Sequence, residues 1–299
     1  MAFAPAAASA QAACGPQPLT TGCAAVYQSL ASAPPQFGIA AAAGNPVPGV
    51  EGTRGVTLGL IPKTTATLRV SAAAVRLPDL RGDEDDGVRS LTPIALKFGT
   101  ATRLFEGTAA GTGALDLLLE AGLLTGTGEG GRTPAIVGAG ARIGLLRETF
   151  ATPGVALSGI YRHTGRMRYG SSCPAPDCVF EGEAEFGLND LSARLTIGKR
   201  VGPLGLAAGA GWDRFSTTDG FLSYRVGPPF SPANGTAEVD FDDSRWSAFV
   251  NLSRGLTIGS LVAEAGWMSG GEAVSDFTLD TWDPGQGTFF GSLSLRLQL

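Results

Sequence analysis

Histidine occurs once in these 299 residues, at His163, and cysteine four times, at Cys14, Cys23, Cys173 and Cys178. One histidine excludes a multi-histidine metal centre, and neither cysteine pair has the C-x-x-C spacing of a zinc ligand set, so no metal is expected. Charge is sparse as well, with 22 Lys and Arg against 27 Asp and Glu. No cluster of cations is interleaved with aromatics, which removes nucleic acid as a partner. After the N-terminus no apolar run reaches the roughly 18 residues a membrane-crossing helix needs. P-loop, zincin, G-x-S-x-G and dinucleotide fingerprints are all missing, so the chain is read as non-enzymatic and without a cofactor.

What is abundant is glycine, 44 residues, within a chain that is 43% hydrophobic and rich in turn dipeptides. That composition needs burial but is short of helix formers, which points to one all-β domain. Residues 1–13 are Ala-rich and end in Ala8-Ser9-Ala10 and Ala10-Gln11-Ala12, two frames suited to a signal peptidase. The first cation is Arg54, so these residues are expected to be the remaining tail of a signal peptide. The cysteines fall into two local pairs, Cys14 with Cys23 and Cys173 with Cys178, and are expected as disulfides formed in an oxidising compartment.

The informative pattern is a period of two. Leu191, Ala193, Leu195 and Ile197 oppose Asp190, Ser192, Arg194 and Thr196; Leu115, Leu117, Leu119 and Leu123 oppose Asp116 and Glu120. Segments 65–75, 135–146, 244–253 and 288–299 divide in the same way. A soluble sandwich would alternate too, its apolar side facing a core. Three features favour a membrane barrel: strands of ten or more residues, alternation of short and long connections, and a final strand running to Leu299.

The expected fold is therefore all-β, a closed antiparallel transmembrane β-barrel of about twelve strands, with ten to fourteen allowed. The strands are placed at 36–43, 53–61, 65–77, 91–105, 113–124, 134–147, 154–169, 179–200, 203–216, 238–253, 260–270 and 288–299, the first two being the weakest. Connections near 62–64, 106–112, 148–153, 201–202 and 254–259 are short and assigned to the periplasm. Those at 78–90, 125–133, 170–178, 217–237 and 271–287 are long and assigned to the exterior. Residues 14–35 form either a lumen plug or a periplasmic leader, and 36–299 the barrel. The acidic run Arg81 to Gly87 is read as a solvated loop, with a divalent cation as the sharper alternative. Tyr169, Trp212, Phe215, Trp246, Trp267 and Phe289 are expected in an outer aromatic girdle.

Parity turns Arg69, Lys97, Arg103, Arg142, Arg162, Arg166, Arg168, Arg194, Arg245 and Arg296 into the lumen, with Asp116, Glu120, Asp213 and Glu264 as inward acids. So many guanidinium groups require either a wet pore or a salt-bridge network. A hairpin around Cys173 and Cys178 would pair Arg168 with Glu183 and Arg166 with Glu185 on the inner face. His163 shares outward parity with Leu157, Tyr161 and Met167, where a lipid-facing Ser/His hydrolase would keep its base, but no serine stands in a motif beside it.

Through the export-like N-terminus, the dyad strands and the terminal strand Phe289 to Leu299, the chain resembles bacterial outer-membrane β-barrel proteins over residues 36–299. It departs from them in ending on Leu299 where Phe or Trp is usual. The resemblance implies residence in the outer membrane of a Gram-negative-type bacterium, with its lipid and the barrel-assembly machinery as partners. It also implies a narrow passive channel or transporter for small solutes, anionic ones among them. Its alternatives are a structural or adhesive barrel with a salt-bridged closed lumen, or a hydrophobic-ligand transporter with an N-terminal plug.

Overall fold

Segments that alternate apolar and polar residues over ten or more positions cannot bury one face as isolated ribbons, and here they pair edge to edge until the sheet closes. The computed structural model describes residues 32–49, 64–78, 88–108, 112–126, 133–171, 180–226, 233–238, 241–271 and 283–298. In order these form α1 (Ala33–Ala42), β1 (Thr64–Ala73), β2 (Val75–Pro78), β3 (Val88–Leu91), β4 (Ile94–Phe105), β5 (Ala114–Thr125) and β6 (Ala135–Leu146). There follow β7 (Gly154–Ser171), β8 (Phe180–Val201), β9 (Leu204–Val226), β10 (Ala233–Glu238), β11 (Asp242–Gly255), β12 (Gly259–Met268) and β13 (Thr288–Gln298).

Ten of these strands make the barrel wall, in the order β1, β4, β5, β6, β7, β8, β9, β11, β12, β13, and every neighbouring pair is antiparallel. Closure is made by β1, which pairs with β4 on one side and β13 on the other. The small hairpin β2–β3 sits in the first long connection, and β10 pairs only with the far part of β9. Ten is the lower end of the range the sequence allowed. The reduction comes partly from 36–43, expected as a strand but folded as the middle and end of α1. Pro34 and Pro35 sit in its first turn, where a missing N–H costs nothing, and the Ala-rich run behind them has no polar alternation to fit a pleated wall. The other weak strand, 53–61, lies outside the described residues, as do all four cysteines, residues 1–13 and the acidic run from Arg81 to Gly87.

The wall is inverted relative to a soluble protein. Leu68, Val70, Leu96, Phe98, Leu119, Leu123, Val137, Ile143, Leu191, Leu195, Ile197, Val250 and Leu293 are exposed on the outside, while arginines and carboxylates are buried inside. From Val137 to Leu145 the outward face of β6 rises about 20–25 Å at barrel tilt, the height of an outer-membrane hydrocarbon band. Trp246, Trp267 and Phe289 stand exposed toward the long-connection end, and Trp212 faces Trp246 across the β9–β11 ladder. Tyr169 and Phe215, expected in that girdle, are instead 4% and 0% exposed and point inward.

Short connections at 106–113, 147–153, 202–203 and 256–258 share one end of the barrel, with the start of β1 and the end of β13; longer ones share the other. β7, β8 and β9 run for 18, 22 and 23 residues, so their ends extend well beyond the roughly 9–11 residues needed to cross a bilayer.

Candidate functional site

The lumen is where the described wall gathers its buried charged groups, and the described chain fills it. All ten residues of α1 are buried, as is most of 43–49 behind it. Toward the long-connection end the filling is apolar: Phe37 meets Tyr169 edge-on at 5.6 Å and stacks on Phe186 at 6.5 Å, within a collar that includes Met167, Leu188, Phe215 and Leu222. Gly38 is the point of closest approach, where a Cβ would lie 2.7 Å from Phe215 and 2.9 Å from Leu188. Any larger residue would push the helix off its collar.

Below the collar the contacts become polar. Ser71 Oγ donates to Ala40 O at 3.2 Å, and Lys97 Nζ donates to Ala41 O at 2.7 Å and Ala43 O at 3.1 Å. Those carbonyls lie in the last turn of α1 and just past it, at the negative end of its dipole, so an ammonium there is doubly favoured. Arg69 donates to Asn45 O, and the Asn45 backbone N–H is shared between both Glu264 carboxylate oxygens at 3.1 and 3.2 Å. Asn45 Nδ2 reaches Thr196 Oγ1 at 3.1 Å, and Arg296 Nη1 reaches Pro48 O at 3.5 Å near the short-turn end. Gly44, at φ +97°, supplies the left-handed residue that ends the helix and lets the chain bend onto this bed of side chains.

On the same strands, further toward the short-turn end, the wall carries a buried ionic network. Arg162 Nε donates to Glu120 at 3.0 Å, and its Nη1 to Asp190 at 2.6 Å and Ser192 at 2.8 Å. Ser192 links Asp190 to Asp213, which Arg194 holds at 2.6 Å, and Lys97 lies 3.7 Å from Glu120. A smaller cluster joins Arg103 and Arg142 through Asp116 at 2.7 and 3.2 Å, and Arg245 meets Asp243 at 2.9 Å. Glycine makes room for the long cations: Gly138, Gly122 and Gly211 are the cross-strand register partners of Arg162, Lys97 and Arg194. A Cβ at Gly211 would lie 2.5 Å from the Arg194 guanidinium.

The structure thus buries Arg69, Lys97, Arg142, Arg162, Arg194, Arg245, Arg296, Asp116, Glu120 and Glu264 inside the barrel. Arg166 and Arg168 are a correction. A register shift between Thr164 and Met167 reverses the parity of β7, so Met167 and Tyr169 turn inward and both arginines turn outward. Their side chains are 60% and 41% exposed, and their acidic partners follow them out: Arg168 lies 3.0 Å from Glu185 and 3.3 Å from Glu183, and Arg166 lies 3.8 Å from Glu185. The β7–β8 register sums to 353 here, as in Arg168 opposite Glu185, two more than expected. These pairs brace the sheet beyond the membrane and take no part in the lumen.

His163 faces outward, with Nδ1 2.9 Å from Asn189 Oδ1 on β8. The asparagine orients the imidazole, but among the described residues no serine is hydrogen-bonded to it. Sequence reasoning missed α1 and Asn45. The signal for α1 was present in Pro34-Pro35 ahead of an unalternating Ala-rich run; Asn45 had none.

No protein-family model matches the sequence, and no characterised protein matches it in sequence. In fold it is similar to the outer membrane protease OmpT from Escherichia coli, at 10% identity and TM-score 0.40, over 83% of this chain and 100% of that one. It is also similar to the translocator domain of the autotransporter NalP from Neisseria meningitidis, at 13% identity and TM-score 0.42, over 81% and 89%. The attachment invasion locus protein Ail of Yersinia pestis aligns at 8% identity and TM-score 0.31, over 80% and 100%. These likenesses concern architecture. The closed ring, the apolar outer wall and the ionic interior define the protein as a transmembrane β-barrel, the architecture it shares with these bacterial outer-membrane proteins.

Proposed function

We propose that this protein is a self-plugged outer-membrane barrel, a membrane anchor closed to solutes at rest, whose lumen is occupied by its own segment 32–49. The observation that carries this reading is that the segment is bonded to the wall at successive levels, by Thr288 to Gln36, Lys97 to Ala41 and Ala43, Glu264 to Asn45, and Arg296 to Pro48. A solute path would have to displace those contacts. The guanidinium groups that would draw anions through an open pore are engaged instead with carboxylates or with carbonyls of the plug. Transport then becomes a property of the unplugged barrel.

The test is single-channel conductance in planar bilayers. The full chain should be silent, and a variant lacking 32–49 should open steps that favour anions. Steady conductance from the full chain, or silence from a deletion variant that is folded by circular dichroism, would refute the plug reading.

A further inference from the structure

The direction of the plug carries a consequence that rests on the reading above. The start of α1 lies at the long-connection end, where Gln36 meets Thr288, the first residue of β13 after its long loop. Thirteen residues further on, the chain has reached the opposite end: Gly49 packs against Val262 and Ser253, next to the short connection 256–258. There β1 begins, with Thr64. The described segment 32–49 therefore runs through the barrel from the long-loop mouth to the short-turn mouth, ahead of the strands that build the wall.

A second pass does not fit beside it. Ten strands spaced at about 4.8 Å and tilted by about 40° enclose a backbone cylinder roughly 20 Å across. An α-helix with its side chains takes about 10–12 Å of that, and the wall's own side chains take the rest. The burial of every residue of α1 and the close approach at Gly38 agree with a lumen that holds one polypeptide and no more. Short turns of such barrels face the periplasm and long loops the exterior.

We infer that the chain preceding Ser32 stands on the outer surface of the cell, carried there through its own barrel, so that the protein displays its N-terminal segment rather than retaining it in the periplasm. The exposed, ion-paired extensions of β7 to β9 rise on the same side and flank the mouth from which that segment leaves.

The experiment is an epitope tag inserted between Gln17 and Pro18 of the full chain, detected by antibody on intact cells and on cells with a permeabilised outer membrane. Tags in the connection between β9 and β10 and in the short turn between β4 and β5 mark the outer and inner faces. The N-terminal tag should bind antibody on intact cells within about twofold of the β9–β10 tag, with little gain on permeabilisation. Binding that appears only after permeabilisation, as for the β4–β5 tag, overturns the inference. A silent barrel with a periplasmic tag would sink display alone, whereas a conducting full-length barrel would sink the plug reading itself.

Discussion

Arg162→Met is the sharpest test of how the lumen is held. Arg162 is 0% exposed and donates to Glu120, Asp190 and Ser192 at 3.0, 2.6 and 2.8 Å. Methionine keeps most of the volume and removes the charge. Glu120 retains Lys97 at 3.7 Å, but Asp190 is left with only the Ser192 hydroxyl, whose single proton Asp213 also competes for. Two carboxylates then share one hydroxyl and the single guanidinium of Arg194. Removing one partner of a buried pair costs about 3–5 kcal/mol, because the other charge stays desolvated. That is roughly a hundredfold to a few thousandfold in the unfolding equilibrium, at about 1.4 kcal/mol per decade. Reversible urea unfolding in lipid vesicles, followed by tryptophan fluorescence, measures it. Adding Asp190→Asn should restore about 1–2 kcal/mol, since the stranded charge goes with it, a coupling that a double-mutant cycle reads directly. If Arg162→Met costs under about 1 kcal/mol, or Asp190→Asn adds further loss on top of it, the network is not what holds these strands.

Two further outcomes follow from the outside of the barrel. Val137 is 53% exposed in the lipid-facing band, so Val137→Arg should lose about 2–4 kcal/mol of stability in vesicles; a change within about 0.5 kcal/mol, as on a water-exposed surface, would contradict the membrane assignment. Asp242 lies beyond Trp212 and Trp246, where a hydrogen bond from Arg214 Nε at 2.8 Å holds its carboxyl below the usual carboxylate range. A folded-state value lower than the unfolded one stabilises at neutral pH and is lost as pH falls through the folded value, so the gap between the urea midpoints of wild type and Asp242→Asn should be full at pH 7 and narrow progressively as pH falls below about 4.

The wall could be read in the sequence because each residue there answers to a single alternation. Leu191, Ala193, Leu195 and Ile197 face lipid and Arg194 faces the lumen because the pleat leaves no third direction. That logic fails where the ladder slips. At Thr164/Met167 one irregularity exchanges the two faces of β7, and no residue in Gly165-Arg166-Met167 announces it, since an arginine suits the wet outer rim as well as the lumen. The opposing strand keeps its own parity, so Glu183 and Glu185 on β8 already pointed outward with Leu191; testing both strands of the hairpin against each other would have exposed the shift. The plug was legible only as one of two alternatives for 14–35, and its helix and bounds were missed for a different reason. The apolar surface of α1 is satisfied only by the inside of a barrel built after it in sequence, from residues such as Phe186 and Phe215 more than a hundred positions away. The ionic partners fall between these cases: Arg103, Asp116 and Arg142 were each placed inside by parity, and only closure of the ring makes them one cluster.

The plug and the charge of the wall require each other. Among the described residues the interior holds eight cations, Arg69, Lys97, Arg103, Arg142, Arg162, Arg194, Arg245 and Arg296, against six carboxylates, Asp116, Glu120, Asp190, Asp213, Asp243 and Glu264. Arg69 and Lys97 are directly cross-strand, a like-charge pair that a bare wall would disfavour. Both of them donate to backbone carbonyls at and just past the end of α1, where the helix has oxygens without partners. The imbalance on the wall thus matches the unsatisfied end of the helix, while Glu264 takes the Asn45 N–H that the same bend leaves over. An empty barrel would hold two neighbouring cations short of acceptors, and a helix free in water would gain nothing from the collar. An interior cationic in this way, in a protein that is acidic as a whole, is therefore explained by what the barrel contains and needs no solute to account for it.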